Sequence, residues 1–401
     1  CALLISRWIP RRSASEPHYW YHALFRTFLP SQAESILGAG EVLRLGRQAA
    51  ALLEARGDFE HAITLYADAG EWESARRLIE KHAPSVLSLG RGQTLRDWIA
   101  RLPAVLLESS PWLQFWLGAS WIPIDQPEAR RYLEQAHANF VSTAHVNGQG
   151  LTAAAIIESY FYEWSDFGEM GRWVEELDGL LDSVTFEDES GAETRVYTSM
   201  LLGILYVAPE HPRRAEVVRQ VSKILDEERD ANRCVATGMM LLSYSNLVCD
   251  MAMGARVLAT IKPQLLRPEI TPFNLVWWYL REGYYHMIKG DYDAAKEALD
   301  RAVSIGETHG LQGARRTSIL IASYQISCHA MLGDVRGART WYQRVVDMAD
   351  QRRPMDELHL AQSRVHVECA AANYEYIAGA AEHLIDAAMR TGQRYIQMLS
   401  V

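Results

Sequence analysis

Trp277, Arg281 and Tyr284 stand at i, i+4 and i+7, one stripe of a helix. Tyr160, Glu163, Trp164 and Phe167 form a similar stripe earlier in the chain, and Tyr244 and Asn246 lie between the two. Flat aromatic faces beside a guanidinium, a carboxylate and an amide suit a sugar, an aromatic metabolite or a peptide. The rings stack on the guest, and the few polar groups orient it. Core packing between helices uses the same residue types, and for any single ring it is the blander reading. As a set, Tyr160, Glu163, Trp164, Tyr244, Trp277, Arg281 and Tyr284 form the candidate ligand-binding face. The chain holds 12 Trp and 18 Tyr, many for a helical protein, so a groove between its helices would be lined by such side chains.

Patterns for reaction chemistry are missing. None of the five lysines follows a glycine, so no phosphate-cradling P-loop exists. The pairs Gly38/Gly40, Gly90/Gly92 and Gly148/Gly150 lack the third glycine and the preceding strand of a dinucleotide site and read as loop punctuation. His366-Val367-Glu368 has the H-x-E of zinc deaminases without the C-x-x-C that completes their metal site. Neither H-E-x-x-H nor G-x-S-x-G occurs. His18 and His22 are four apart but have no acidic or Cys companions, so they read as packing or surface residues. The runs Glu187-Asp188-Glu189 and Asp226-Glu227-Glu228 read as a solvated loop and a helix end. The expectation is a non-catalytic chain with no metal and no cofactor of its own. The enzyme reading would require carboxylates converging in one deep cavity.

Composition bounds the rest. With 401 residues, 49% hydrophobic and 22% charged, the chain buries a sizeable core and is not disordered. A net charge of −10 disfavours direct binding to nucleic acid. Cys1, Cys234, Cys249, Cys328 and Cys369 form no C-x-x-C pair and suit free thiols in a reducing cytoplasm. No apolar run reaches the roughly 18 residues of a membrane span. The start CALLISRWIPRR has neither an initiator Met nor a secretory signal, and the chain stops within a helical pattern, so a piece of a larger protein is expected.

The elements that must position the candidate face are helices. Strand signals nearly vanish after residue 30, and Gly or Pro breakers mark off segments of roughly 13–20 residues. One pattern repeats: Gly, acid, aromatic or Val, any, any, Ala. It occurs at Gly57–Ala62, Gly70–Ala75, Gly290–Ala295 and Gly333–Ala338, with a degenerate copy at Gly168–Trp173. Gly ends one helix in a left-handed conformation and the acid caps the next. The aromatic plugs the gap between two antiparallel helices, and Ala lets their backbones approach. Such hairpins stack into a solenoid, here with a period of roughly 40 residues. The predicted fold is an all-α superhelix of about eight or nine helical hairpins.

Two resemblances follow from particular residues. Residues 271–309 resemble a tetratricopeptide repeat, with Gly283 at the small position of its first helix and Gly290, Tyr292, Ala295, Leu299 and Ala302 at further landmarks. The next unit keeps Gly333, Ala338 and Tyr342 but has Ile326 at the small position. The run Trp20-Tyr21-His22-Ala23-Leu24-Phe25-Arg26-Thr27-Phe28-Leu29 resembles the Y-H-x-L-F-x-x-F-L signature that closes the winged helix of STAND signalling ATPases, MalT-type regulators in particular. Gly57-Asp58, Gly70-Glu71-Trp72 and Leu95–Pro103 continue that resemblance, which is specific over about residues 18–103 and weaker over 270–392.

That resemblance implies three regions: 1–35 as the end of a winged helix, 36–105 as linking hairpins, and 106–401 as a tetratricopeptide-like sensor and interaction domain. It further implies an effector-sensing arm of an ATP-dependent transcriptional regulator, with ATP or ADP and Mg held upstream and a LuxR-type or other DNA-binding domain elsewhere. His22 would sense the nucleotide in the full-length protein. The implied partners are a small-molecule inducer or a regulatory protein, with self-association of the full-length protein and neither DNA nor membrane contacts by this chain. The alternative is a scaffold that binds a peptide segment of another protein and no small ligand.

Overall fold

The computed structural model describes residues 11–12, 17–18, 32–33, 35–186, 191–310 and 315–394. The chain divides into two compact units, residues 1–81 with 97–104, and residues 82–96 with 105–401.

In the first unit a short antiparallel ladder pairs β1 (Arg11–Arg12) with β2 (Pro17–His18). Helices α1 (Ala39–Ala55) and α2 (Phe59–Asp68) form a hairpin, followed by the first part of α3 (Trp72–Ser88) and the end of α4 (Gly92–Ile99), while residues 82–96 of these two helices belong to the second unit. Asp58 caps α2 by accepting from the His61 N–H, while Ala62 and Ala75 are fully buried, as the repeated pattern requires. Phe59 meets Trp98 edge-on at 6.4 Å. Glu54 accepts from Tyr66 Oη at 3.0 Å and from Arg77 at 2.7 Å, tying α1 to the helices that follow. His22 and the whole of the 20–29 run lie outside the described residues.

In the second unit, after α5 (Ala104–Ser109), seven hairpins follow among the described residues. They are α6 (Pro111–Trp121) with α7 (Gln126–Ser142), α8 (Val146–Glu163) with α9 (Met170–Leu180), and α10 (Ala192–Val207) with α11 (Arg214–Glu227). Then come α12 (Ala231–Leu247) with α13 (Met251–Ile261), α14 (Pro272–Ile288) with α15 (Tyr292–Thr308), α16 (Arg315–Met331) with α17 (Val335–Met348), and α18 (Pro354–Ala370) with α19 (Tyr374–Arg390).

Each first helix lies against the first helix of the next hairpin, so these seven make an inner layer and their partners an outer one. Burial follows from that arrangement: α12 buries 13 of its 17 residues, whereas its partner α13 buries 3 of 11. A helix apolar on most sides belongs inside, and an amphipathic one belongs at the surface. Gly290 and Gly333 take φ of 81° and 75°, and Asp291 and Asp334 cap the helices behind them. Where Gly283 packs, a Cβ would come within 2.9 Å of Leu299 Cγ, so α14 and α15 approach closely because that side chain is absent.

The inner layer curves back on itself. Phe161 and Tyr162 of α8 meet Trp277 and Phe273 of α14 with ring centroids 5.3 and 5.2 Å apart. Beyond the end of α8, Trp164 Nε1 donates to His359 Nε2 at 2.9 Å and the Phe167 N–H donates to the Thr391 carbonyl at 2.9 Å. Arg353 Nη2 adds a bond to the Glu163 carbonyl at 2.7 Å. The second hairpin of this unit is thereby clasped to the seventh.

Candidate functional site

The clasp begins with a strained residue. Helix α8 ends at Glu163, and Trp164 adopts φ 50° and ψ 50°, a left-handed conformation costing a residue with a Cβ about 1–2 kcal/mol. The chain turn redirects the indole, which is 5% exposed, into the centre of the superhelix. Helical spacing therefore fails as a guide here: Tyr160, Glu163, Trp164 and Phe167 do not form one stripe. Tyr160 is half-buried under the Arg130 guanidinium, 4.2 Å from its ring centroid, and Glu163 is ion-paired with the same arginine. Phe167, fully buried, joins Trp164 edge-on at 5.5 Å.

Trp164, Trp277 and Arg281 do converge. The Arg281 guanidinium lies 5.5 Å from the Phe161 ring and 5.6 Å from both the Trp164 and Trp277 rings. Arg281 is 3% exposed, and its Nε and Nη2 have no hydrogen-bond partner among the described residues. Its electrostatic neighbours are the phenols of Tyr206, Tyr324, Tyr284 and Tyr162, and the first two also contact it through their hydroxyls. Burial holds the Tyr206, Tyr162 and Tyr324 phenols neutral by pushing their pKa values up. Asn246 Nδ2 donates to the Arg281 carbonyl at 3.2 Å, fixing α12 against α14, while its Oδ1 is unpartnered. Tyr284 is half-buried and stacks on Tyr324 with centroids 5.0 Å apart. Tyr244 is half-buried against the same core, with no ring contact to Arg281.

Carboxylates near this centre are engaged elsewhere. Glu158 accepts from Arg195 and Ser199 at 3.2 Å each, Glu163 pairs with Arg130, and Glu282 accepts from Trp278 Nε1 at 3.0 Å. Among the described residues, no group of three or more His, Cys, Asp or Glu could hold a metal ion. His366 shares a hydrogen bond with Ser327 at 2.9 Å, and burial lowers its pKa.

Sequence reasoning missed Phe161, Tyr206, Tyr324 and His359. Tyr244, Tyr284 and Tyr324 are spaced 40 apart, matching the repeat period, and that regularity would have flagged Tyr324. His359 carries no such signal, since its role comes from the closure of the superhelix.

No protein-family profile matches the chain, and no curated protein matches it. Among solved structures, the signal transduction ATPase with numerous domains (STAND) from Pyrococcus horikoshii, which has a tetratricopeptide repeat sensor, superposes on 96% of this chain with a TM-score of 0.52 and 12% identity. The chain spans 58% of that protein's length. Yeast Tom70 aligns over 94% of this chain and 92% of its own at 11% identity, with a TM-score of 0.40. No helix among the described residues is long and apolar enough to cross a membrane. Stacked hairpins, the two-layer arrangement and the first of these superpositions agree that the chain is an all-α, tetratricopeptide-like superhelix.

Proposed function

We propose that this chain is the effector-receiving arm of a STAND-type ATP-dependent regulator, and that it binds an inducer on the inner face of its superhelix rather than transforming it. The observation that carries the reading is the convergence of Trp164, Trp277 and Arg281 on that face, where a cation meets several rings and makes no ion pair among the described residues. The superposition on a STAND protein with a tetratricopeptide sensor supports the placement. Nucleotide and Mg would be held by a separate domain, and His22 would report on that nucleotide. The regulated output, transcription in the resembling MalT-type proteins, would come from another part of the full-length protein.

An inducer shifts such a switch only if it binds one state better than the other. A parted form of the clasp between α8 and the α18–α19 end would be the second state that a guest on the inner face distinguishes from the closed one. A thermal-shift screen of metabolites and of peptide segments against the chain tests the reading. We expect saturable stabilisation that Tyr284→Ala weakens without lowering the melting temperature of the free chain by more than a few degrees. Binding that ignores every inner-face substitution would overturn it. Selective binding of a peptide, with no small ligand, would move the reading to an interaction scaffold.

A further inference from the structure

Arg281 is a full positive charge in the middle of the second unit. Its guanidinium does not deprotonate, so burial cannot neutralise it. Among the described residues it makes no ion pair, and two of its nitrogens have no acceptor. Phe161, Trp164 and Trp277 offer it ring faces, and Tyr206 and Tyr324 offer neutral hydroxyls. Rings and phenols compensate a buried cation only in part. A methionine would fill the same space without that penalty. What a guanidinium adds is a fork of N–H donors matched to two oxygens of a carboxylate or phosphate. The flanking indoles would at the same time cover the flat or apolar body carrying that group.

We infer that Arg281 is the anchor of a binding site for a small anionic metabolite, one bearing a carboxylate or a phosphate group, which its free Nε and Nη2 grip while Trp164 and Trp277 pack against the rest. Tyr206 and Tyr324 donate their hydroxyls to the same oxyanion. Entry requires the clasp to part, because Trp164 is both a wall of this site and the donor to His359. Binding and opening are therefore coupled. This inference rests on the inner face being the receiving surface, and it narrows the guest to an anion.

The test titrates the whole chain with benzoate, phenyl phosphate and inorganic phosphate, each against chloride at equal ionic strength, beside the uncharged benzamide and phenol. Tryptophan fluorescence and melting temperature are the readouts. Benzoate or phenyl phosphate is expected to bind saturably, at least about tenfold more tightly than its uncharged analogue, and to change the fluorescence of the buried indoles. Whichever of the two prevails identifies the oxyanion as carboxylate or phosphate. Arg281→Met should abolish the preference and Arg281→Lys should weaken it roughly tenfold, since Lys keeps the charge but loses the fork.

If Arg281→Met does not fold, Tyr324→Phe removes one hydroxyl with little change of shape and should weaken the anions several-fold but not benzamide. Equal binding of charged and uncharged compounds, anion binding that survives Arg281→Met, or indifference of the wild-type chain to all three anions would overturn the inference. A peptide or neutral sugar held on the inner face and unaffected by Arg281→Met would overturn it while leaving the receiving-arm reading intact.

Discussion

Trp164 Nε1 donates to His359 Nε2 at 2.9 Å, joining residues 195 positions apart. The acceptor nitrogen must be unprotonated, and burial alone holds His359 in that form by lowering its pKa from 6.5 to about 4. The unfolded chain binds this proton near pH 6.5 and the folded chain only near pH 4, so the histidine's stabilising effect is complete above pH 6.5. It is lost as pH falls from 6.5 through 4, and amounts to as much as about 3 kcal/mol. His366, also lowered by burial, adds to the same slope. We expect a melting temperature that falls steeply over that window. His359→Gln keeps an acceptor for the indole but cannot titrate, so its melting temperature should fall less. Equal slopes in the two proteins would contradict this account.

Trp277 is a poor choice for probing binding alone. At 2% exposure between Phe161, Tyr162 and Phe273, its removal leaves a large cavity. Trp277→Ala should cost about 3–5 kcal/mol in urea unfolding. Tyr284, half-buried and stacked on Tyr324, should cost about 1 kcal/mol as Tyr284→Ala beyond its lost area. It is therefore the inner-face residue whose loss reports on ligand with least damage to the fold.

Gly392 sits where two backbone segments of the clasp come together. Its φ is 70°, and a Cβ there would come within 2.5 Å of the Gly168 N and 3.0 Å of its Cα. Backbone cannot yield as a flexible side chain can, so Gly392→Ala should part the Phe167–Thr391 bond. The expected result is rapid hydrogen exchange at the Phe167 amide while the amides of α12 stay protected.

Turns built without glycine offer a gain. Cys249 and Ala372 both have φ of 56°, and each precedes a capping residue, Asp250 and Asn373. Cys249→Gly and Ala372→Gly should each stabilise by up to about 1 kcal/mol, whereas Gly290→Ala, at φ 81°, should destabilise by about as much. Chemical denaturation of the three variants decides it.

Those same turns mark what the sequence conceals. The hairpins at Gly57, Gly70, Gly290 and Gly333 were legible because glycine and acid stand together. The turns at Ala144, Cys249 and Ala372 reach the same left-handed conformation with residues that no composition rule selects. The degenerate copy at Gly168 is not the left-handed position at all; Trp164 is. The period and the all-α class survive such substitutions because they rest on apolar spacing across many helices. At the centre, Trp164, Trp277 and Arg281 were legible as residues with the right chemistry. Their meeting was not, because it depends on how far seven hairpins curve, a sum of small rotations that no local spacing encodes.

An open solenoid lengthens or shortens by whole units without penalty, since each unit touches only its neighbours. The bond from Trp164 to His359 removes that freedom between α8 and α18. Duplicating or deleting any hairpin in that interval would carry the two partners past one another, so growth by copying is confined to the stretches on either side.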